Sequence, residues 1–235
     1  DMCRFVQSLF DEEFNVSCAV NGTEAFQKMQ KGRLPDVIIS DVMMPSMSGT
    51  DLCKLVKGDL LTAHIPFILL TAKGGMENAQ KGYEMGADLF VEKPFNTSLL
   101  QIQVRNILRT RDNNRRDFKD SPTMNISIMA ENKYDKKFLS DIYACVERNI
   151  GNSDFCVDDI VTEVGVSRTK LHVKLKSLIN MSIGEYIKER RIKKAEKLLR
   201  QGESITDVAY ATGFSDPNYF SKCFKKKPGL SPTEH

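Results

Sequence analysis

At 235 residues the chain has room for two compact domains. Its formal net charge of +3 is small but uneven: residues 1–110 carry 11 Lys/Arg against 13 Asp/Glu, residues 111–235 carry 23 against 18, and residues 167–200 carry 11 against 3. Only the second half therefore has an electrostatic reason to seek a polyanion. No stretch reaches the roughly 18 apolar residues needed to span a bilayer, and no signal peptide is expected.

The first half alternates short apolar runs with helical patterns. The chain opens on Met2-Cys-Arg-Phe-Val-Gln-Ser-Leu-Phe, which reads as a helix already under way and is expected over 2–12. Strands are expected at 16–20, 36–40, 65–70 and 88–91, and further helices at 23–31, 50–57, 77–84 and 97–109. This alternation predicts a parallel sheet with helices on both faces. The polar, charged run from Asp112 to Pro122 reads as part of a linker over 111–130. Beyond it the pattern is helical only, with helices expected at 135–149, 157–164, 167–179, 184–200, 204–211 and 216–227. The six cysteines (3, 18, 53, 145, 156 and 223) form no Cys-x-x-Cys pair and have no His at metal spacing. They read as mostly buried thiols outside disulfides, which fits a reducing cytoplasm.

The run Asp36-Val-Ile-Ile-Ser-Asp41-Val-Met-Met-Pro45-Ser-Met-Ser-Gly49 is the most informative in the chain. A continuous apolar strand runs into an aspartate, and a Pro and a Gly then turn the backbone. Open α/β sheets place their chemistry at such carboxyl strand ends. Thr71 closes Ile65-Pro-Phe-Ile-Leu-Leu-Thr71, and Lys93 follows Asp88-Leu-Phe-Val-Glu92 and precedes Pro94-Phe95. In a parallel sheet these ends converge, so Asp41, Thr71 and Lys93 are expected to face one pocket, with Phe90 three residues before Lys93. Taken singly, each has an ordinary reading: a turn or cap for Asp41 and Thr71, a solvated loop charge for Lys93, core for Phe90.

Together, Ser-Asp-Val-Met-Met-Pro, Leu-Leu-Thr-Ala-Lys and Lys-Pro-Phe resemble the receiver domains of two-component signalling over about residues 1–110. The resemblance implies a flavodoxin-like sheet of strand order 2-1-3-4-5. It implies that Asp41 accepts a phosphoryl group from a histidine kinase and that Mg²⁺ binds Asp41 and the Met43 carbonyl. Lys93 would pair with the phosphoryl oxygens, Thr71 and Phe90 would switch position, and the Lys93–Pro94 bond would be cis. In receivers an acidic pair at the end of the first strand completes the Mg²⁺ site. Asp1 resembles a position a few residues past that pair and does not take its role. The first strand is therefore expected to be missing from this chain, which is expected to be a piece of a longer protein and to hold Mg²⁺ only with that pair in place.

In the second half, residues 157–179 read as a short helix, a turn at Gly165, a cap at Ser167 and a basic second helix. The pattern repeats over 204–227 with Gly213 and Ser215. The glycines suit a turn of positive φ and the serines suit helix caps. Two helix-turn-helix units joined by a long helix can put two second helices in adjacent major grooves about 34 Å apart. The motifs Ile205-x-x-Val208-Ala209-x-x-x-Gly213-Phe214-x-Asp216-x-x-Tyr219-Phe220-x-x-x-Phe224-Lys225 and Gly229-Leu-Ser-Pro232 resemble the AraC-type DNA-binding domain, over about 131–235. That resemblance implies base reading by Thr169, His172 and Val173 in the first unit and by Asn218, Ser221 and Lys222 in the second. Lys donates to guanine, Asn pairs with adenine, and Val173 can touch only a thymine methyl. Arg168, Lys170, Lys174, Lys176, Arg190, Arg191, Lys193, Lys225 and Lys226 are expected to contact phosphates.

The leading reading is a DNA-binding transcription regulator of a two-component phosphorelay, set by phosphorylation of Asp41. It would dimerise on activation and engage repeated half-sites of double-stranded DNA. Receiver-then-AraC order resembles the end of hybrid proteins in which a histidine kinase shares the polypeptide. This stretch would then be cytoplasmic and non-enzymatic, without membrane contact, while the full-length protein would be anchored in the inner membrane. Two alternatives stand beside it. One is a phosphorylation-independent DNA-binding protein with a degenerate receiver. The other is a phosphatase using Asp41 as nucleophile, against which the absence of a second acid among Val42, Met43 and Met44 speaks.

Overall fold

The structure, a computed structural model, describes residues 2–72, 86–120 and 132–225, the side chains of 117–120 excepted. The chain divides into two compact units, Asp1–Asn114 and Arg115–His235.

In the first unit the strands β1 (Ile38–Asp41), β2 (Phe67–Ala72) and β3 (Leu89–Lys93) form a parallel sheet of order β1-β2-β3. Ile38 pairs with Phe67 and Asp41 with Leu70, and on the other side Ile68 pairs with Leu89 and Ala72 with Lys93. Phe67, Ile68, Leu69 and Leu70 of the central strand are buried to 1% exposure or less. A parallel strand covered on both faces needs this kind of unbroken apolar run. Each such side chain contributes about 1.5–3 kcal/mol on burial. The helices α1 (Met2–Phe10), α2 (Gly22–Lys31), α3 (Gly49–Gly58) and α4 (Thr97–Asp120) surround the sheet. Phe67 and Leu69 pack with Met29 of α2 and Leu52, Cys53 and Val56 of α3. Ile68 points to the opposite face, with Phe10 of α1 and Leu100 and Val104 of α4. The alternation of the strand thus sorts the helices into two layers.

Two expectations are corrected. Residues 16–20 form no strand: their backbone groups are met by side chains instead of a ladder. The Val20 amide donates to Glu24 at 2.8 Å, the Cys18 carbonyl accepts from the Lys28 ammonium, and the Cys3 thiol lies 3.9 Å from the Ala19 carbonyl. The helix expected to end near residue 109 continues to Asp120, so the first ten residues of the expected linker are helical. Arg and Lys favour a helix, Asp and Asn cost at most about 0.7 kcal/mol each, and no Gly or Pro interrupts the run before Pro122. The helix expected over 77–84 lies outside the described residues.

The second unit is helical throughout its described part: α5 (Lys133–Arg148), α6 (Val157–Val164), α7 (Arg168–Ile179), α8 (Ile183–Arg200), α9 (Ile205–Ala211) and α10 (Pro217–Phe224). Hydroxyl and carboxylate caps fix the starts of α7 through α10. Ser167 accepts from the Lys170 amide, Ser182 forms a capping box with Glu185, Ser204 accepts from Asp207, and Asp216 accepts from Asn218. The second helix-turn-helix therefore starts its α10 at an Asp216 cap, one residue after the expected Ser215.

Both turns use a glycine of positive φ, Gly165 at 70° and Gly213 at 79°. They differ in their surroundings. A methyl group at Gly165 would meet nothing within 4 Å, whereas one at Gly213 would fall 2.5 Å from the Ile150 carbonyl oxygen. Gly165→Ala is therefore expected to cost about 1–2 kcal/mol, the penalty of left-handed backbone alone. Gly213→Ala is expected to cost about 2–4 kcal/mol, because a backbone clash is added. Urea denaturation of the two variants checks this ordering.

Candidate functional site

The register of the sheet delivers three polar residues to one rim. Asp41 ends β1, Lys93 ends β3, and Thr71 is the penultimate residue of β2. The Lys93 ammonium contacts Asp41 Oδ2, with the two side chains 23% and 27% exposed. The other oxygen of Asp41, Oδ1, accepts the Met43 amide at 3.1 Å. The carboxylate is thus held by a cation on one side and a backbone donor on the other, at a spot that solvent still reaches.

Thr71 is buried at 7% exposure, and its hydroxyl donates at 3.4 Å to the carbonyl of Ala72, a long bond. It makes no hydrogen bond to Asp41 in this conformation. Thr71 pairs with Glu92 and Leu69 with Phe90, so Phe90 lies on the face of Thr71, one step back along the strands. Phe90 is half-buried against the Phe67–Leu69 layer. The Lys93–Pro94 peptide is cis.

The turn after Asp41 holds features that the sequence reading did not assign. Ser40 is buried, and its hydroxyl donates to the Asp41 carbonyl at 3.0 Å. Ser46 takes a φ of 65°. The Gly49 amide donates to the Val42 carbonyl at 3.0 Å. A methyl group at Gly49 would sit 2.0 Å from the Asp41 carbonyl oxygen. Only a glycine lets the first turn of α3 press this close to the strand end. The Pro45–Gly49 spacing marked the turn but not the close approach.

The described donors do not by themselves make a Mg²⁺ site. Mg²⁺ takes about six oxygens in octahedral geometry. Asp41 and the Met43 carbonyl supply two, and the described residues contain no group of three His, Cys, Asp or Glu able to hold a metal ion. The thiols are not nucleophiles either where they are deeply buried. Burial pushes Cys53 up to about 12 and Cys145 to about 11. No disulfide links the six cysteines, of which Cys53, Cys145 and Cys223 are buried.

In the second unit the exposed face of α7 carries Arg168, Thr169, Lys170, His172, Val173 and Lys176. Arg168 also lies 3.6 Å from Asp158 in a solvent-exposed pair, which contributes little. On α10, Asn218 and Lys222 are exposed, while Ser221 is half-buried and its hydroxyl donates to the Pro217 carbonyl at 2.9 Å. Tyr219, read earlier only as a motif residue, is 50% exposed between them. Its ring lies 6.2 Å from Phe214, and the Lys188 ammonium lies 5.9 Å from its centroid.

Three expected phosphate contacts are corrected. Lys174 is fully buried, and its ammonium lies 2.5 Å from Asp135 Oδ1. Arg190 is buried too: its Nε and Nη2 donate to Glu147 Oε1 at 2.9 and 2.7 Å, and its guanidinium lies 4.8 Å from the Tyr143 ring centre. Arg191 is committed as well, donating to the Asn152 carbonyl at 2.6 Å beside Phe214. Its burial lowers its pKa. Lys193 is half-buried and Lys225 exposed, and Lys226 lies outside the described residues. The charge count of the sequence could not separate cations that meet solvent from those that meet a buried acid.

These placements predict opposite stability effects on one helix. Lys174→Met leaves Asp135 buried without its cation and is expected to cost about 3–5 kcal/mol. Lys170→Met, on the exposed face, is expected to stay within about 0.5 kcal/mol of the parent. Chemical denaturation of both variants is the check.

The comparisons with known proteins follow the same division. Residues 1–105 match the response regulator receiver domain, and residues 160–235 match a helix-turn-helix domain. Over 232 residues the chain is 37% identical to histidine kinase P4 of Formosa agariphila, covering 98% of this chain and 17% of that protein. The first half is 40% identical over 98 residues to the phosphate regulon transcriptional regulatory protein PhoB of Rhizobium meliloti, covering 42% of this chain and 43% of that protein. It is 36% identical over 105 residues to response regulator Rre1 of Synechocystis, covering 44% and 45%. The chain thus spans about a sixth of the length of the first relative and under half of the other two. The chain carries a response regulator receiver domain followed by a helix-turn-helix domain of the AraC type.

Proposed function

We propose that this chain is the output part of a two-component phosphorelay, in which a phosphoryl group on Asp41 sets DNA binding by the second unit. The observation that carries the reading is the Asp41 carboxylate itself. It stands at a strand end, accessible, with the Lys93 ammonium already against one oxygen. An oxygen of Asp41 attacks the phosphorus of a phosphohistidine. A P–O bond forms as the P–N bond breaks, and the imidazole leaves. Lys93 offsets the negative charge that gathers on the phosphoryl oxygens, acting as a preformed point charge.

The product carries more negative charge than the carboxylate did. The Thr71 hydroxyl is the nearby donor best placed to answer it, because its present bond to the Ala72 carbonyl is long. Turning Thr71 toward the phosphoryl group vacates space on the face that Phe90 shares. Local charge would then repack a small two-state element, the usual way such modifications act at a distance.

The exposed face of α7 and the Asn218–Lys222 face of α10 support reading of double-stranded DNA by both units. The helix α8 between them is 18 residues long, about 27 Å at 1.5 Å per residue. That length suits two contacts one helical turn of DNA apart, about 34 Å. Phosphate contacts fall to Arg168, Lys170, Lys176 and Lys225. Two copies of the chain on repeated half-sites would gain affinity through effective concentration. The long match to a protein named a histidine kinase supports a hybrid architecture, with the kinase in the same polypeptide. No helix among the described residues is long and apolar enough to cross a membrane. In that architecture the membrane anchor would belong to the longer protein.

The acceptor assignment has a direct test. Incubation with acetyl phosphate and Mg²⁺ of a longer polypeptide that supplies the further acidic Mg²⁺ ligands to this chain is expected to add one phosphoryl group by intact-mass analysis, in a form labile to hydroxylamine. Asp41→Asn is expected to take up none, and Lys93→Ala to fall by about tenfold or more in rate, the scale of one lost charge contact in a transition state. Equal uptake by the parent and Asp41→Asn would place the chemistry elsewhere.

A further inference from the structure

Lys174 lies on α7 but points away from the surface that α7 presents. Leu171, Leu175, Leu178 and Ile179 flank it on the buried side of the helix. Its ammonium lies 2.5 Å from Asp135 Oδ1, with the two side chains 0% and 2% exposed. Asp135 is itself fixed. Its Oδ2 accepts from Asn132 Nδ2 at 2.8 Å, and its amide donates to Asn132 Oδ1 at 2.9 Å, in the N-terminal cap of α5. The carboxylate is therefore tied to the cap of α5 through Oδ2, and the backbone that carries it through its amide, before it meets the cation of α7.

An apolar contact alone would specify the register of α7 weakly, because uniform leucine packing leaves near-equivalent arrangements. A cation buried against a fixed anion does not. Its energy depends steeply on distance in a low-dielectric interior, and any slip or rotation of α7 would strand two charges. Among the described residues no ion pair joins α10 to the rest of its unit, and Phe220, Cys223 and Phe224 seat it in an apolar cluster.

We infer that the Lys174–Asp135 pair is a positioning device for DNA reading by α7, fixing the angle at which Thr169, His172 and Val173 meet base edges. The inference rests on the DNA-binding reading above. Lys174 touches no DNA in this account and acts through the placement of the helix that does. Buried ion pairs of this kind add little net stability over an apolar pair of similar size, and their best-attested use is to fix register.

The test uses the full chain and a duplex site enriched by it from a random pool. Base preferences are assigned to α7 if His172→Ala removes them and to α10 if Lys222→Ala does. Single K174M and D135L variants are expected to melt well below the parent, and K174M/D135L to recover most of that loss. The double variant is expected to lose on the order of tenfold discrimination at the α7 positions, the scale of one good base contact, and to keep the α10 preferences. K174R is measured beside it, because it keeps the charge but changes the length of the strut, and is expected to show the same one-sided loss. A folded double variant with both sets of preferences intact, or with both reduced alike, overturns the inference. If the double variant does not regain the parent's melting temperature, K174R decides by the same criterion. A parent chain that enriches no sequence at all removes the DNA-binding reading itself, an outcome distinct from a parent that selects a site which the variants read equally well.

Discussion

The parallel register of three strands is the constraint on which the receiver half depends. Because Asp41 pairs with Leu70 and Ala72 pairs with Lys93, the acid and the ammonium arrive at the same rim from strands that are not neighbours. The central strand between them is buried on both faces, so the register cannot slip without exposing Phe67 through Leu70. A local charge pair is thereby tied to the packing of the whole unit. The same logic lets a chemical change at Asp41 act beyond its own contacts. Thr71 belongs to that buried central strand, and Phe90 shares its face.

The helical half solves a different problem, that of presenting two similar helices to one partner. Each is started by a capping side chain and preceded by a glycine turn. They are then seated by different means. The first is fixed by an ion pair inside the core and the second by aromatic rings in edge-to-face and tilted contact, Phe214, Phe220 and Phe224. The helix α5 provides acids for both buried cations, Asp135 for Lys174 and Glu147 for Arg190. Two of the eleven basic residues in 167–200 are thus structural, and the charge available to a polyanion is confined to fewer residues than the composition implies.

Legibility followed the range of the interactions. The strand-end aspartate, the turn after it and the Ser167 cap of α7 are written in adjacent residues, and the structure places them where the pattern predicted, while the cap of α10 falls one residue on, at Asp216. The span of α6, Val157–Val164, matches the expected one, since its Gly165 stop signal is local. Residues 16–20 carry a strand-like composition, but a strand also needs a neighbour, and side chains of Cys3, Glu24 and Lys28 meet those backbone groups instead. Lys174 and Arg190 were read as surface cations because their acids are distant in sequence, 43 residues away for Arg190. Gly49 was read as a turn former, whereas its contact with the Asp41 carbonyl is a property of the folded chain. The face shared by Thr71 and Phe90 became visible only through the strand register.

The central claim couples Asp41 to DNA binding, and fluorescence anisotropy measures that coupling directly. A labelled duplex carrying the selected site in two repeated copies is titrated with the longer polypeptide that supplies the further acidic Mg²⁺ ligands, with and without acetyl phosphate and Mg²⁺. The account predicts that phosphorylation tightens binding of the parent by about 5–150-fold, the usual span of coupling between two sites, and leaves Asp41→Asn unchanged. Equal affinity of the phosphorylated and unphosphorylated parent, with phosphoryl uptake at Asp41 verified by mass, would contradict it.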